Sequence, residues 1–463
     1  MISKTILFFG GLRPSERIFM KTNCLKTLLI LPFIFSITAC GTDEQKEYVA
    51  LPDLYNLTVK EAKLQVGADI LFTENKVSTS ELIEGRILSY GNDLKVGDKV
   101  EKGTRVEINV SKRSETAINI DNDLISYINQ INMTTGPKSS QNKDVLLNAG
   151  VKGTDLGIPF LLPDGRMMLL YGDTFSGDNM SGMWRSNFMA ISSDFTLYDG
   201  LTFDSVVTND IGAILPFAEG LHYADNETDK TSEVTKIPTG GISIGNDVYI
   251  FYMSIRYWGV SGSWLVTYNQ CVKASDSTYT KWENVPSLRW TDDELIYAGQ
   301  IYPFHNPQDT NNIYFTSIPG GRNYGAVMFR VNKDNFENRD EYEYLVGKDT
   351  WLKGDGGMKK MNENPYYILS PGVSEPSIMY STYLNKWIYS TLKGTSICFA
   401  LSDSVTGPYD KEIYTVCNAS NFSGLYGGFV HEKYTDSNGQ RIYIQLSQWV
   451  PTYNTSLVEV VLK

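Results

Sequence analysis

The sequence predicts an all-β fold, a five-bladed β-propeller, preceded by a small α+β module. Two observations carry this. From about residue 143 to residue 463 helical periodicity is scarce, and short apolar alternations are separated by Gly, Asn, Asp and Ser clusters, the pattern of strands and turns. Within that stretch a unit recurs: an apolar strand ending in small polar residues, a turn, then a second strand. The pairs are RMMLLYGDTF with NFMAISSDFTLYDG, DVYIFYMSIRYWG with WLVTYNQCVKASDSTYTKWE, NIYFTSIPGGRNYG with AVMFRVNKDNFE, KWIYSTLKG with SICFALSDSVTGPYD, and RIYIQLSQW with SLVEVVLK. Each unit has about 64 residues, the size of a four-stranded blade with its loops. Five like units argue against the alternative, a β-sandwich. The last unit reaches Lys463 with no spare strand, so ring closure is expected to borrow a strand from near residue 160.

The whole chain sets the limits. Its 463 residues call for two or more domains. Hydrophobic content of 42% with 20% charged residues is globular. A net charge of -12 argues against nucleic acid as a main partner, because phosphate binding needs a basic footprint. It leaves neutral glycans open. The 29 Tyr and 8 Trp suit β cores and sugar-stacking platforms alike.

The elements follow in chain order. Residues 1–39 read as a signal peptide: Lys21 and Lys26, the apolar run Leu28 to Ile37, then small residues. Residues 1–19 precede a second plausible start at Met20. The end, Ile37-Thr38-Ala39-Cys40, resembles the bacterial lipobox. That resemblance implies cleavage before Cys40, lipidation of its thiol and a tether over residues 40–48. The expected location is the cell envelope, with a lipid anchor in a bacterial membrane, the outer membrane or cell surface. Cys24 lies in the signal; Cys271, Cys398 and Cys417 leave room for one disulfide in an exported protein, but Cys271 and Cys398 sit in apolar strand-like runs and read as buried free thiols rather than bridges. No Cys/His spacing suggests a metal, and no cofactor motif is present; GGISIGN is a turn before a strand.

Residues 49–112 form the small module. VALPDLYNLTVKEAKLQV gives a strand, a turn and a helix starting near Thr58, with apolar positions Leu57, Ala62, Leu64 and Val66. Two strands around Gly-rich turns follow. Pro52-Asp53, Leu57-Thr58, Glu61-Ala62, Gly85-Arg86-Ile87, Gly97, Lys102-Gly103 and the closing VEINVS resemble a PASTA domain, a module of bacterial cell-wall proteins. The resemblance implies peptidoglycan as a partner, or a role in assembly; a spacer is the alternative. Residues 113–142 are polar with one short amphipathic piece and read as a linker.

Two aspartates stand out in the first unit. In GIPFLLPDGRMMLLYG a hairpin about Pro163-Asp164-Gly165 puts Asp155 and Asp173 nine residues from the turn centre on either arm. They then share one end of the hairpin, beside the propeller mouth. Close carboxyls push their pKa values apart, as glycoside hydrolysis requires. Turn capping is the competing reading.

At these residues the large module resembles the five-bladed-propeller family long called a domain of unknown function and since linked to endo-acting D-arabinanases. The resemblance rests on GTDLGIPF, YGDTF, WRSNFMAIS, IPGGRNYGAVMFRV, SEPSIMYSTYLNKWIYST and YGGFVHEKY with SQW. It implies hydrolysis of furanose linkages in a polysaccharide of arabinan or arabinogalactan type, with Asp155 and Asp173 matching the family's acidic pair. Around them, Glu375 before Pro376 is a candidate acid or hydroxyl binder, or a structural ion pair. Arg322 in PGGRNYG and Arg256, followed by Tyr257 and Trp258, are candidate substrate binders. So are His431 in GGFVHEKY, Gln448 and Trp449 at a strand end, and Trp184 with Arg185. His222 and His305 are weaker candidates. The expectation is an exported lipoprotein glycoside hydrolase. The rivals are a non-catalytic glycan-binding or adhesion lipoprotein and a cell-wall assembly factor.

Overall fold

Alternating apolar and polar residues, broken by Gly and Asn turns, make strands the dominant element of the computed structural model, which describes residues 46–260 and 262–463. The signal-peptide and lipidation expectations, Cys24 and Cys40 included, lie outside the described residues.

The N-terminal module contains β1 (Tyr48–Ala50), α1 (Val59–Val66), β2 (Ile70–Ser78), β3 (Ile87–Tyr90), β4 (Lys99–Glu101) and β5 (Thr104–Lys112). Strand β5 lies between β2, parallel to it, and β3, antiparallel; β1 pairs with β4. A capping box starts α1: the Thr58 hydroxyl accepts from the Glu61 amide, and the Glu61 carboxylate accepts from the Thr58 amide at 2.7 Å. Of the apolar helix positions, Ala62 alone is fully buried; Leu64 is 77% exposed. The small core is built by Leu51, Leu54, Ile70, Val106, Ile108 and Val110 instead.

This module is fastened to the rest. The Arg441 guanidinium, its side chain 1% exposed, donates to the carbonyls of Ser80 and Glu81. It also pairs with Asp436 at 2.6 Å and Glu459 at 3.1 Å. Ile83 packs on Tyr127 and Val461 beside it.

Next come β6 (Ile118–Asn119), β7 (Ile125–Met133) and α2 (Lys143–Asn148). Five antiparallel sheets then form among the described residues. The first holds β8 (Leu156–Leu161), β9 (Met167–Tyr171), β12 (Phe188–Ser192) and β13 (Ser205–Val206), with the hairpin β10 (Thr174–Gly177) and β11 (Ser181–Arg185) inserted. The second holds β14 (Thr235–Ile244), β15 (Asp247–Tyr257), β16 (Leu265–Ala274) and β17 (Trp282–Thr291). The third runs through β18 (Tyr302–Asn306), β19 (Asp309–Ser317), β20 (Val327–Asn332), β21 (Glu343–Gly347) and β22 (Thr350–Lys353), followed by α3 (Gly354–Glu363). The fourth holds β23 (Val373–Ser381), β24 (Lys386–Lys393), β25 (Ser396–Ser402) and β26 (Glu412–Asn418). The fifth holds β27 (Leu425–Phe429), β28 (Thr435–Asp436), β29 (Arg441–Gln448) and β30 (Asn454–Leu462), with β7 and β6 beyond β30.

The first strands neighbour one another in turn, β8 to β14, β18, β23 and β27, and β27 returns to β8. That ring of sheets is propeller-like. All five inner strands run the same way, so their N-terminal ends share one mouth.

Two expectations are corrected here. The stretch 113–142 is not a bare linker, because β7 lies within it and pairs with β30 over Ser456↔Met133 to Leu462↔Ile125. The last sheet is therefore completed by β7, and no strand from near residue 160 is borrowed. Leu156–Leu161 is the inner strand of the first sheet. Cys271, Cys398 and Cys417 are buried free thiols.

Candidate active site

The hairpin that carries the aspartates forms around Pro163-Asp164-Gly165. Gly165 N–H donates to Leu162 O at 3.0 Å and Leu162 N–H to Arg166 O at 2.7 Å. Pairings Leu161↔Met167, Phe160↔Met168 and Ile158↔Leu170 hold the register, a bulge shifts it at Leu156↔Tyr171, and Gly153↔Phe175 restores it. Asp155 and Asp173 thus meet at the open end of the hairpin. Their neighbours Thr154 and Thr174 bond hydroxyl to hydroxyl at 2.7 Å.

Close approach fixes Gly172. A Cβ there would lie 2.5 Å from Asp155 Oδ1, so only glycine lets this carboxyl lie flat on the opposite arm. The bulge puts Leu156 at φ 70°, a left-handed value that costs a branched residue about 1 kcal/mol. Its amide donates to the Ser447 hydroxyl at 2.6 Å, which holds the turn. The fold maintains local strain to aim Asp155 inward.

Similar irregularities interrupt β14 at Pro238/Gly240, β23 at Ser374/Ser377 and β27 at Leu425/Gly428. Each lies toward the mouth end of an inner strand, where a bulge redirects side chains. Glu375 itself has φ 46°. The result is a cavity of about 220 Å³ at the mouth, with Asp155, Glu375, Arg322, Gln300 and Tyr426 among its polar walls and Trp258, Trp264 and Trp449 among its aromatic ones.

Each acid has distinct partners. Asp155 Oδ2 accepts from the Tyr426 hydroxyl at 2.6 Å, while buried Oδ1 has no hydrogen-bond partner among the described residues. Asp173 Oδ1 accepts from the Thr235 hydroxyl at 2.6 Å and from the Trp184 indole N–H at 2.9 Å. Glu375 Oε1 accepts from Arg322 Nη2 at 2.7 Å, and its Oε2 accepts from the Ser374 hydroxyl. Gln300 ties these together: its Oε1 accepts from the Glu375 amide at 2.8 Å, and its Nε2 donates to the carbonyls of Pro319 and Gly321 in the Arg322 loop.

Burial dominates the electrostatics. It pushes Asp155 up to about 6, with the Tyr426 and Tyr453 hydroxyls pulling down and the Glu375 charge adding to the rise. Asp173 is pushed up to about 7, first by desolvation and then by the Asp155 charge, against the Thr235 and Trp184 bonds. Glu375 is raised by burial although Arg322 opposes it. Asp155 is thus coupled to both other acids, and the three share few protons at neutral pH.

The remaining candidates divide. Arg322 and Trp449 line the cavity; Trp449 is 54% exposed at its rim. Trp184 reaches the site through Asp173 and stacks on His222 with centroids 4.0 Å apart. Arg185 turns back to the Trp184 carbonyl. Gln448 is buried and donates to the Ser423 carbonyl, so it braces the loop before β27. Arg256 does not enter the cavity: its Nη1 pairs with Asp292 at 3.1 Å and donates to the Val266 carbonyl. His431 is corrected most plainly. It follows β27 and lines, with His305, a hollow at the opposite end of the inner strands, because inner strands put only their N-terminal ends at the mouth. Desolvation pushes its imidazole down to about 3.

Sequence reasoning missed Tyr426, Gln300, Trp264 and Thr235. The residues that carried Tyr426 were visible in YGGF, but no local signal says that its hydroxyl reaches a carboxylate 271 positions away.

A family model described as "Domain of unknown function (DUF4185)" matches residues 139–459. Among curated proteins, Notoamide biosynthesis cluster protein J of Aspergillus sp. (strain MF297-2) is 26% identical over 324 residues, 66% of this chain and 82% of its own length. Notoamide biosynthesis cluster protein J' of Aspergillus versicolor is 28% identical over 319 residues, 65% and 82% of the two chains. Among solved structures, a putative hydrolase from Bacteroides ovatus aligns with TM-score 0.49 at 11% identity, over 72% of this chain and 90% of that one. A native arabinanase of Bacillus subtilis aligns with TM-score 0.36 at 10% identity, over 66% and 96%.

Proposed function

We propose that this chain, which belongs to the DUF4185 family, is a glycoside hydrolase that cleaves furanose glycosidic bonds in the endo mode, with Asp155 and Asp173 as its paired carboxyls. The observation that carries the reading is the coupling of two carboxyls at one hairpin end, both raised toward neutrality, one of which, Asp155, lines a cavity with aromatic walls.

The roles follow from the partners. Asp173, the more strongly raised, is the partner that still holds a proton in part of the molecules near neutral pH, and it donates that proton to the leaving oxygen. Asp155 is the ionised partner, its charge steadied by the Tyr426 hydroxyl and its Oδ1 left for water or sugar. Glu375, held by Arg322, accepts a sugar hydroxyl from the opposite wall. Trp258, Trp264 and Trp449 offer faces to the apolar sides of sugar rings. The substrate class is an arabinan or arabinogalactan. In the same reading the five sheets are blades, the small module is PASTA-like and contacts peptidoglycan, and a lipid on Cys40 anchors the chain in the cell envelope.

The test is product analysis on arabinan and arabinogalactan panels, with Asp155→Asn and Asp173→Asn beside the wild type. Wild type should release oligosaccharides and both variants should fail. Cleavage that survives both substitutions sinks the paired-acid assignment. Glycan binding without cleavage by wild type supports an adhesion protein instead.

A further inference from the structure

We propose that a second hollow on the mouth face, between the second and third sheets, is a binding subsite for an uncharged sugar ring of the same glycan; the inference rests on the glycan reading above. The hollow encloses about 220 Å³, equal to the first cavity, and shares Trp264 with it. Its other walls include Arg256, Tyr268, Asn269, Gly320 and Tyr324.

Strand direction places it. Inner strand β14 starts at the mouth, so antiparallel β15 ends there and β16 begins there. Arg256 is near the end of β15, and Trp264 immediately precedes β16. Gly320 and Tyr324 lie on the loop after β19, which also carries Arg322. Arg322 sits over the Trp264 ring, 5.2 Å from its centroid, and lines the first cavity. The two hollows are therefore neighbours, with Trp264 as the shared wall.

The second hollow is built for hydroxyl groups. Four of its wall residues leave a buried polar atom without a hydrogen-bond partner among the described residues: Arg256 Nε, Trp264 Nε1, Trp290 Nε1 and Asn269 Oδ1. All four residues are more than nine-tenths buried. Leaving such atoms unpaired is costly, so a ligand that pairs with them is favoured. Three donors and one acceptor match a polyol. The Arg256 charge is already met by Asp292, which favours a neutral ligand over an anion. Tyr324, 43% exposed, supplies an aromatic wall at the outer side.

The experiment is calorimetric binding of arabinofuranosyl oligosaccharides, from two units to eight, to Asp155→Asn protein, which does not turn them over. Tyr324→Ala and Asn269→Leu are added singly. Longer chains should bind roughly tenfold more tightly than the two-unit sugar, and either added substitution should remove that gain while leaving the two-unit affinity unchanged. Tyr324 is exposed, so its variant keeps the test valid if Asn269→Leu misfolds. A length-dependent gain untouched by Tyr324→Ala overturns the subsite and leaves the hydrolase reading standing. Absence of binding at every length overturns both.

Discussion

Replacing Asp173 by Asn should stabilise the protein at alkaline pH while abolishing cleavage. The carboxyl is raised from 3.8 to about 7 in the fold, chiefly by desolvation. A folded value above the unfolded one means that the native state holds an extra proton between those two values. Stability then falls as pH rises through that window, and the loss is complete above the folded value. About three units at about 1.4 kcal/mol each set a ceiling of about 4 kcal/mol. Asp173 is partly exposed, and solvent screening reduces this to about 2 kcal/mol. Asn keeps the acceptor that Thr235 and Trp184 use, since both donate to Oδ1. The penalty disappears without loss of those bonds. Melting of wild type and variant by calorimetry near pH 8, 6 and 4 reads the effect. The variant should melt about 3 °C higher near pH 8, and the gap should close near pH 4, where both chains are uncharged at this position. A variant that melts lower near pH 8, or a gap that persists near pH 4, refutes the argument that a desolvated, charge-opposed carboxyl sits here.

Tyr426→Phe removes the bond that holds Asp155 ionised, so the acid limb of the pH–activity profile should move upward by roughly one pH unit; an unchanged limb would show that Asp155 is not the titrating base. Gly172→Ala drives a methyl group onto Asp155 Oδ1 and should reduce kcat by at least about tenfold with the melting temperature little changed, since one displaced carboxyl is enough to misalign the pair. Glu375→Gln should raise KM more than it lowers kcat; a loss of kcat as complete as that of the aspartate variants would make Glu375 the proton donor. Arg441→Met leaves Glu459 buried and unpaired and should destabilise the chain by about 3–5 kcal/mol, with limited proteolysis cutting first between the small module and the ring.

What the sequence reveals depends on how far apart the interacting residues lie. The Asp155 and Asp173 juxtaposition was legible because a tight turn sets the register of both arms, so counting from residue 164 was enough. The strand β7 was not legible. ISYINQINM interleaves Asn and Gln with apolar residues, and its partner β30 lies more than 300 positions away. Once it is paired, its buried side chains join the core that the ring builds, and Asn129 and Glu459 become neighbours. His431 illustrates a different failure. Its segment was correctly read as near an inner strand, but residues after the strand lie at the end opposite the mouth.

The site depends on irregularity more than on pattern. A regular inner strand alternates its side chains between the two faces of its own sheet. Bulges at the mouth end of β8, β14, β23 and β27 break that alternation. Beside two of them the backbone adopts left-handed values at non-glycine residues, Leu156 and Glu375. Such strain persists only where neighbours hold it, and here Ser447 holds the first and Gln300 the second. Periodicity in a sequence reports the regular part of a strand, so it locates the sheets and is silent about the residues turned out of register to face the axis. Tyr426, one residue past the start of β27, is such a residue, and its hydroxyl reaches Asp155 Oδ2 at 2.6 Å.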